Sequence, residues 1–98
     1  MKQLELSVAA DADLFDILAY GTASFGEAAS DEYYLGLCDA FDFLCDQLLA
    51  GPRDEVSGLD LRRWRYRQHH IYYRVDVRSL LIVRVLHCAA DAVRWLKD

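Results

Sequence analysis

The clearest hydrophobic rhythm in the chain falls after residue 27, where Tyr34, Leu37, Phe41, Leu44 and Leu48 recur at intervals of 3, 4, 3 and 4, with Asp31, Asp39, Asp42 and Asp46 on the other faces. This spacing puts the apolar side chains on one side of a helix and predicts an amphipathic helix over residues 27–49, stopped by Ala50-Gly51-Pro52. Upstream, Val8, Ala12, Phe15, Leu18 and Ala19 also recur at helical spacing. They predict a first helix with Ser7 as N-cap, Asp11 near its positive end, and Gly21 and Gly26 bracketing its close. The two helices form an antiparallel hairpin with an apolar side to cover.

The remaining segments follow period two. Gln3-Leu4-Glu5-Leu6-Ser7 alternates and reads as a short strand, as does Leu61-Arg62-Arg63-Trp64-Arg65-Tyr66-Arg67. Ile71-Tyr72-Tyr73-Arg74-Val75 is rich in aromatic and β-branched residues, and residues 80–86 are almost continuously apolar, as a central strand covered on both faces would be. Reversals at Gln68-His69 and at residues 76–79 make a meander of the last three strands. Residues 89–97 close the chain with a helical turn or two, Ala92, Val93 and Leu96 facing inward. The expected fold is α+β: an N-terminal strand, a helical hairpin on one face of a mostly antiparallel sheet in the order β-α-α-β-β-β, and a short C-terminal helix. At 98 residues this is a single domain over 1–98, better suited to a docking surface than to a deep pocket.

Charge sharpens the picture. Residues 1–50 hold one base against ten acids, a balance of −9, while residues 51–98 hold ten bases against six acids, a balance of +4. Such polarity suits a protein that meets an acidic or anionic partner through one end, although the overall charge of −5 opposes strong non-specific binding to duplex nucleic acid. With neither a membrane-spanning run nor a secretion signal, a cytoplasmic protein with three reduced cysteines is expected. Cys38 and Cys45, seven apart on one helix, lie about 10 Å from each other and cannot bridge.

Strand alternation sets Arg63, Arg65 and Arg67 on one side and Arg62, Trp64 and Tyr66 on the other. Guanidinium groups repeated along a strand suit phosphates or a row of carboxylates; the alternative is a solvated edge strand protected by its charges. His70, Tyr72 and Arg74 share a face of the next strand. With Arg84 and His87 on its neighbour they would make a His, Tyr and Arg cluster on the open sheet face, a set able to stabilise a phosphodiester, although each is equally an ordinary strand residue. His69, His70, His87 and Cys88 have no metal-ligand spacing. No metal, cofactor or nucleophile motif is expected, and no catalytic residue is assigned.

The run Arg67-Gln68-His69-His70-Ile71-Tyr72-Tyr73-Arg74-Val75, followed by Ile82-Val83-Arg84-Val85-Leu86-His87 and Asp91, resembles the C-terminal signature of ParE-type toxins of the RelE/ParE superfamily. Ser7, Ala12-Asp13-Leu14, Ile17, Tyr20 and Phe25-Gly26 fall where that family has its first strand, first helix and hairpin turn. Pro52-Arg53 and Leu61-Arg62-Arg63 match the segment entering the sheet. The resemblance implies a RelE/ParE-like fold and a growth-inhibiting, plasmid-stabilising toxin of a bacterial type II toxin–antitoxin pair. It implies two partners, a ParD-like antitoxin that wraps the toxin and DNA gyrase as target, with no sequence-specific nucleic-acid contact and no membrane. The alternatives are a RelE-like ribosome-dependent endoribonuclease and an inactive antitoxin-binding module. The absence of a Tyr after Tyr73 favours the ParE branch, whereas Cys88-Ala89-Ala90 and Gln68 depart from the family pattern.

Carried over by position, target contacts fall on Arg62, Arg63, Arg74, Arg84 and His87, with Asp91 and Arg94 supporting the C-terminal turn. Antitoxin contacts are expected at Arg65 and Arg67, which would meet acidic tails, and at exposed aromatic anchors Tyr33, Tyr66 and Trp95.

Overall fold

The computed structural model describes residues 2–97. Strand β1 (Gln3–Leu6) leads into helix α1 (Val8–Phe25), then α2 (Glu27–Asp46), β2 (Arg62–Tyr66), β3 (His69–Val75), β4 (Ser79–His87) and α3 (Ala92–Lys97). The sheet order is β1-β4-β3-β2, with β1 parallel to β4 and the other pairs antiparallel. The expected α+β arrangement is therefore present, and β4, the most apolar strand, lies inside the sheet.

Local chemistry explains the hairpin. Ser7 caps α1, accepting from Ala10 N–H at 2.9 Å and donating to the Val83 carbonyl at 2.7 Å, which ties the helix start to β4. Gly26 ends α1 and begins α2 in one step with φ 90, a backbone conformation that a side chain would resist. The turn thus needs no linker.

The core lies between the hairpin and one sheet face. Leu37, Phe41 and Leu44 of α2 are buried against Ile71, Tyr73, Leu80, Ile82 and Val85, as the rhythm of that helix predicted. Helix α1 differs from expectation. Its buried face is Ala10 and Leu14, with Ile17 partly buried beside them, whereas Val8 and Phe15 are 88% and 72% exposed. The cause is small residues: alanines lie on several sides of α1, so periodicity alone does not say which side the sheet will take. On the opposite sheet face a smaller cluster of Leu61, Tyr72 and Leu86 is roofed by Ala90, Ala92 and Leu96, so α3 packs inward through two of its three expected residues. Cys38, Cys45 and Cys88 are free.

Candidate functional site: a groove and a basic sheet

β1 ends at Leu6, its last partner being Ile82, while β4 continues to His87. The edge of β4 beyond Ile82 therefore lacks a neighbouring strand, and α1 crosses there instead. Asp13 takes the place of the missing strand: its Oδ2 accepts from the Val85 N–H at 2.9 Å and from Arg84 Nε at 2.8 Å, while Oδ1 accepts from Arg84 Nη2 at 2.8 Å. Both side chains are mostly buried, and the carboxylate beside Arg84 pushes the guanidinium pKa up further.

Beside this pair opens a groove of about 820 Å³ between α1, α2 and the end of the sheet. Ile17 and Tyr20 of α1, Phe25, Ala29 and Tyr33 along the hairpin, and Trp95 of α3 form its walls; Val85, Leu86, His69 and His87 lie along β3 and β4. Tyr20 and Phe25 meet edge to face at 6.2 Å and are largely exposed, Phe25 at 70%. Trp95 is 45% exposed and lies within 5.7 Å of the Arg84 guanidinium carbon. Asp16 and Glu32 put carboxylates on the walls, with Arg67 at the β2–β3 turn.

Tyr33 fixes the end of the groove. Its hydroxyl lies 2.6 Å from His69 Nδ1, accepts from the Gln68 N–H at 3.2 Å, and stands 3.4 Å from the Tyr66 carbonyl. With the hydroxyl proton along the shortest contact, His69 accepts at Nδ1 and keeps its own proton on Nε2. Burial and the neighbouring His87, whose ring centroid is 5.4 Å away, lower the His69 pKa to about 4, so the ring is neutral at pH 7. Burial also raises the Tyr33 pKa, against the Gln68 hydrogen bond that lowers it.

The cluster expected on the open sheet face does not assemble as a unit. His70 and Tyr72 do share that face, their rings 6.2 Å apart. Tyr72, however, is 2% exposed beneath Leu61 and Leu86 and cannot reach a ligand. Arg74 is exposed and turns to Asp76 at 3.4 Å. A register shift between Tyr72 and Tyr73 pairs Tyr72 with Arg84, but the guanidinium reaches around the vacant edge to Asp13. His87 pairs with His69 and so lies on the hairpin side, in the groove. Arg84 and His87 thus belong to the groove rather than to the open face.

Other expected positions separate likewise. Arg62 donates from Nη1 to the Gly51 carbonyl at 2.9 Å, and Arg65 Nε donates to the Arg67 carbonyl at 2.8 Å. Arg67, expected on the face of Arg63 and Arg65, instead occupies the turn with φ 47 and lines the groove, its guanidinium 5.6 Å from the Tyr66 ring centre, because the left-handed turn breaks the strand alternation. Asp91 accepts from the Trp95 backbone through its carbonyl, and Arg94 stacks on Trp95 at 5.6 Å, both within the C-terminal turn. Of the three aromatics expected as exposed anchors, only Trp95 is exposed; Tyr33 and Tyr66 are half-buried and packed edge to face at 5.2 Å. Ile17, Tyr20, Phe25 and His69 line the groove without having stood out as contact residues in the sequence. The Phe25-Gly26 turn is the one local sign of them, because a groove depends on how separate elements meet.

Comparison with known proteins places this hairpin, mixed sheet and groove among the toxins of type II toxin–antitoxin systems. A family model described as ParE toxin of type II toxin-antitoxin system, parDE, matches residues 4–92. Toxin ParE1 of Caulobacter vibrioides is 34% identical over 92 residues, covering 94% of this chain and 95% of that protein. A chain of the chromosomal ParDE TA system from P. aeruginosa shares the fold with a TM-score of 0.74 at 22% identity, over 89% of this chain and 96% of that one. The chain belongs to the ParE toxin family.

Proposed function

We propose that the chain acts as a single-domain cytoplasmic toxin that inhibits DNA gyrase by binding and is neutralised by a ParD-like antitoxin seated in the groove. The observation that carries the reading is the uncovered wall of Tyr20, Phe25 and Trp95 in one groove. Aromatic side chains gathered in this way are what an amphipathic helix of a partly disordered partner buries on folding. Arg84 and His87, two of the residues that the family resemblance places at the target, line the same groove. An antitoxin helix there covers them, so neutralisation follows from occlusion and needs no conformational change.

The test is titration of the chain with the C-terminal segment of a ParD-like antitoxin. Phe25→Ser, at an exposed site, should weaken binding at least about tenfold while leaving thermal stability nearly unchanged, because interface energy concentrates on such anchors. Unchanged affinity would place the antitoxin elsewhere.

A further inference from the structure

The second basic region of the sheet has no part in the groove. On the open face, α3 and Leu61 pack over β4 and Tyr72; beyond them on β2, Arg65 is exposed and Arg63 half-buried. Strand alternation places Arg63 and Arg65 of β2 there, beside His70 and Arg74 of β3. Arg74 has Asp76 at 3.4 Å; among the described residues no carboxylate lies within ion-pair distance of Arg63 or Arg65. The buried Asp54 nearby has its carboxylate on the Ser57 N–H at 3.2 Å. The positive field of this face is felt by His70, whose pKa is lowered by burial and then by Arg63 and Arg65.

We infer that the Arg63, Arg65 and His70 face binds the phosphate backbone of duplex DNA without reading its sequence. Three features select this occupant. First, guanidinium groups on alternate residues of one strand repeat at about 6.7 Å and form bidentate contacts with phosphate. Second, on the β2 edge beside these arginines the Arg63 N–H is already taken by the Pro52 carbonyl at 2.9 Å, so an added peptide strand would find only part of an edge to pair with, whereas a phosphodiester chain needs only cations. Third, single-stranded binders stack bases on exposed aromatic rings, and the aromatic ring of this face, Tyr72, is buried. A duplex backbone needs no such platform. The net charge of −5 makes the contact weak and strongly salt-dependent. The proposal is independent of the reading above and is tested without gyrase.

The experiment is fluorescence anisotropy of a labelled 20-base-pair duplex titrated with the purified chain at 50 to 200 mM salt. Binding should fall steeply with salt. Arg63→Gln/Arg65→Gln should weaken it roughly tenfold at low salt and lower the log–log salt slope by about 2, since each phosphate neutralised by a cation adds about 0.9 to that slope. Arg63→Lys/Arg65→Lys, which keeps the charge, should retain most binding, and Arg53→Gln, at an exposed site paired with Asp60, should leave it unchanged. No binding at low salt, an unaffected double Gln variant, tighter binding of the single strand, or equal competition by polyglutamate would each overturn the assignment. Each of these outcomes is independent of what a gyrase or antitoxin assay returns.

Discussion

Asp13 and Arg84, seventy-one residues apart, meet in a two-pronged ion pair at 2.8 Å that closes the edge of β4 where β1 has ended. The same carboxylate also holds the Val85 N–H, so one side chain takes over the work of a strand and seals one wall of the groove. Removing it leaves a mostly buried guanidinium without a counter-charge and a backbone donor without an acceptor.

Asp13→Ala should therefore destabilise the fold by about 3 kcal/mol, the usual cost of stranding one member of a buried pair. Asp13→Asn, which keeps an acceptor for Val85, should cost less. Urea denaturation measures both, and a loss below about 0.5 kcal/mol for Asp13→Ala would mean that the pair is a solvated surface contact.

The His69 site predicts a pH dependence with a definite sign. Its folded pKa of about 4 lies below the 6.5 of an unstructured histidine, so the unfolded chain takes up the proton first. Stability from this group is complete above about pH 6.5 and is lost as pH falls towards 4, amounting to roughly 2 kcal/mol once partial exposure is allowed for. His69→Phe should flatten that part of the stability curve. An NMR titration showing His69 near 6.5 would contradict it.

Gly36 offers a packing test. A Cβ there would stand 1.8 Å from Tyr66 Oη, so Gly36→Ala must push aside a ring that also packs on Tyr33. The gain of up to about 1 kcal/mol expected from Ala in a helix should be reversed into a net loss of about 1 kcal/mol. Adding Tyr66→Phe, which removes the clashing oxygen, should restore part of it, as a double-mutant cycle would show.

The parts of this fold legible in the sequence were those whose signal is local. Helix α2 announced its buried face because Leu37, Phe41 and Leu44 are large and the positions between them are acidic. Helix α1 did not, since Ala10 carries less signal than Phe15 although only Ala10 is buried. The Arg and Trp alternation of β2 set Arg63 and Arg65 opposite Trp64 and Tyr66, but not Arg67, which the turn carries to the groove. What escaped was long-range: the early end of β1, the register shift opposite Tyr72 and the crossing of α1 together redirect Arg84 and create the groove. None of these leaves a mark within a dozen residues. The family resemblance, by contrast, rested on short runs in β3 and β4 and was legible directly.

Inhibition of gyrase and silencing through the groove, as proposed, are both read by a DNA supercoiling assay with purified gyrase. The wild-type chain should block supercoiling, and its antitoxin should restore it. Phe25→Ser should block supercoiling equally but resist rescue at the same antitoxin concentration. Full gyrase activity in the presence of the chain, or equal rescue of both proteins, would contradict the account.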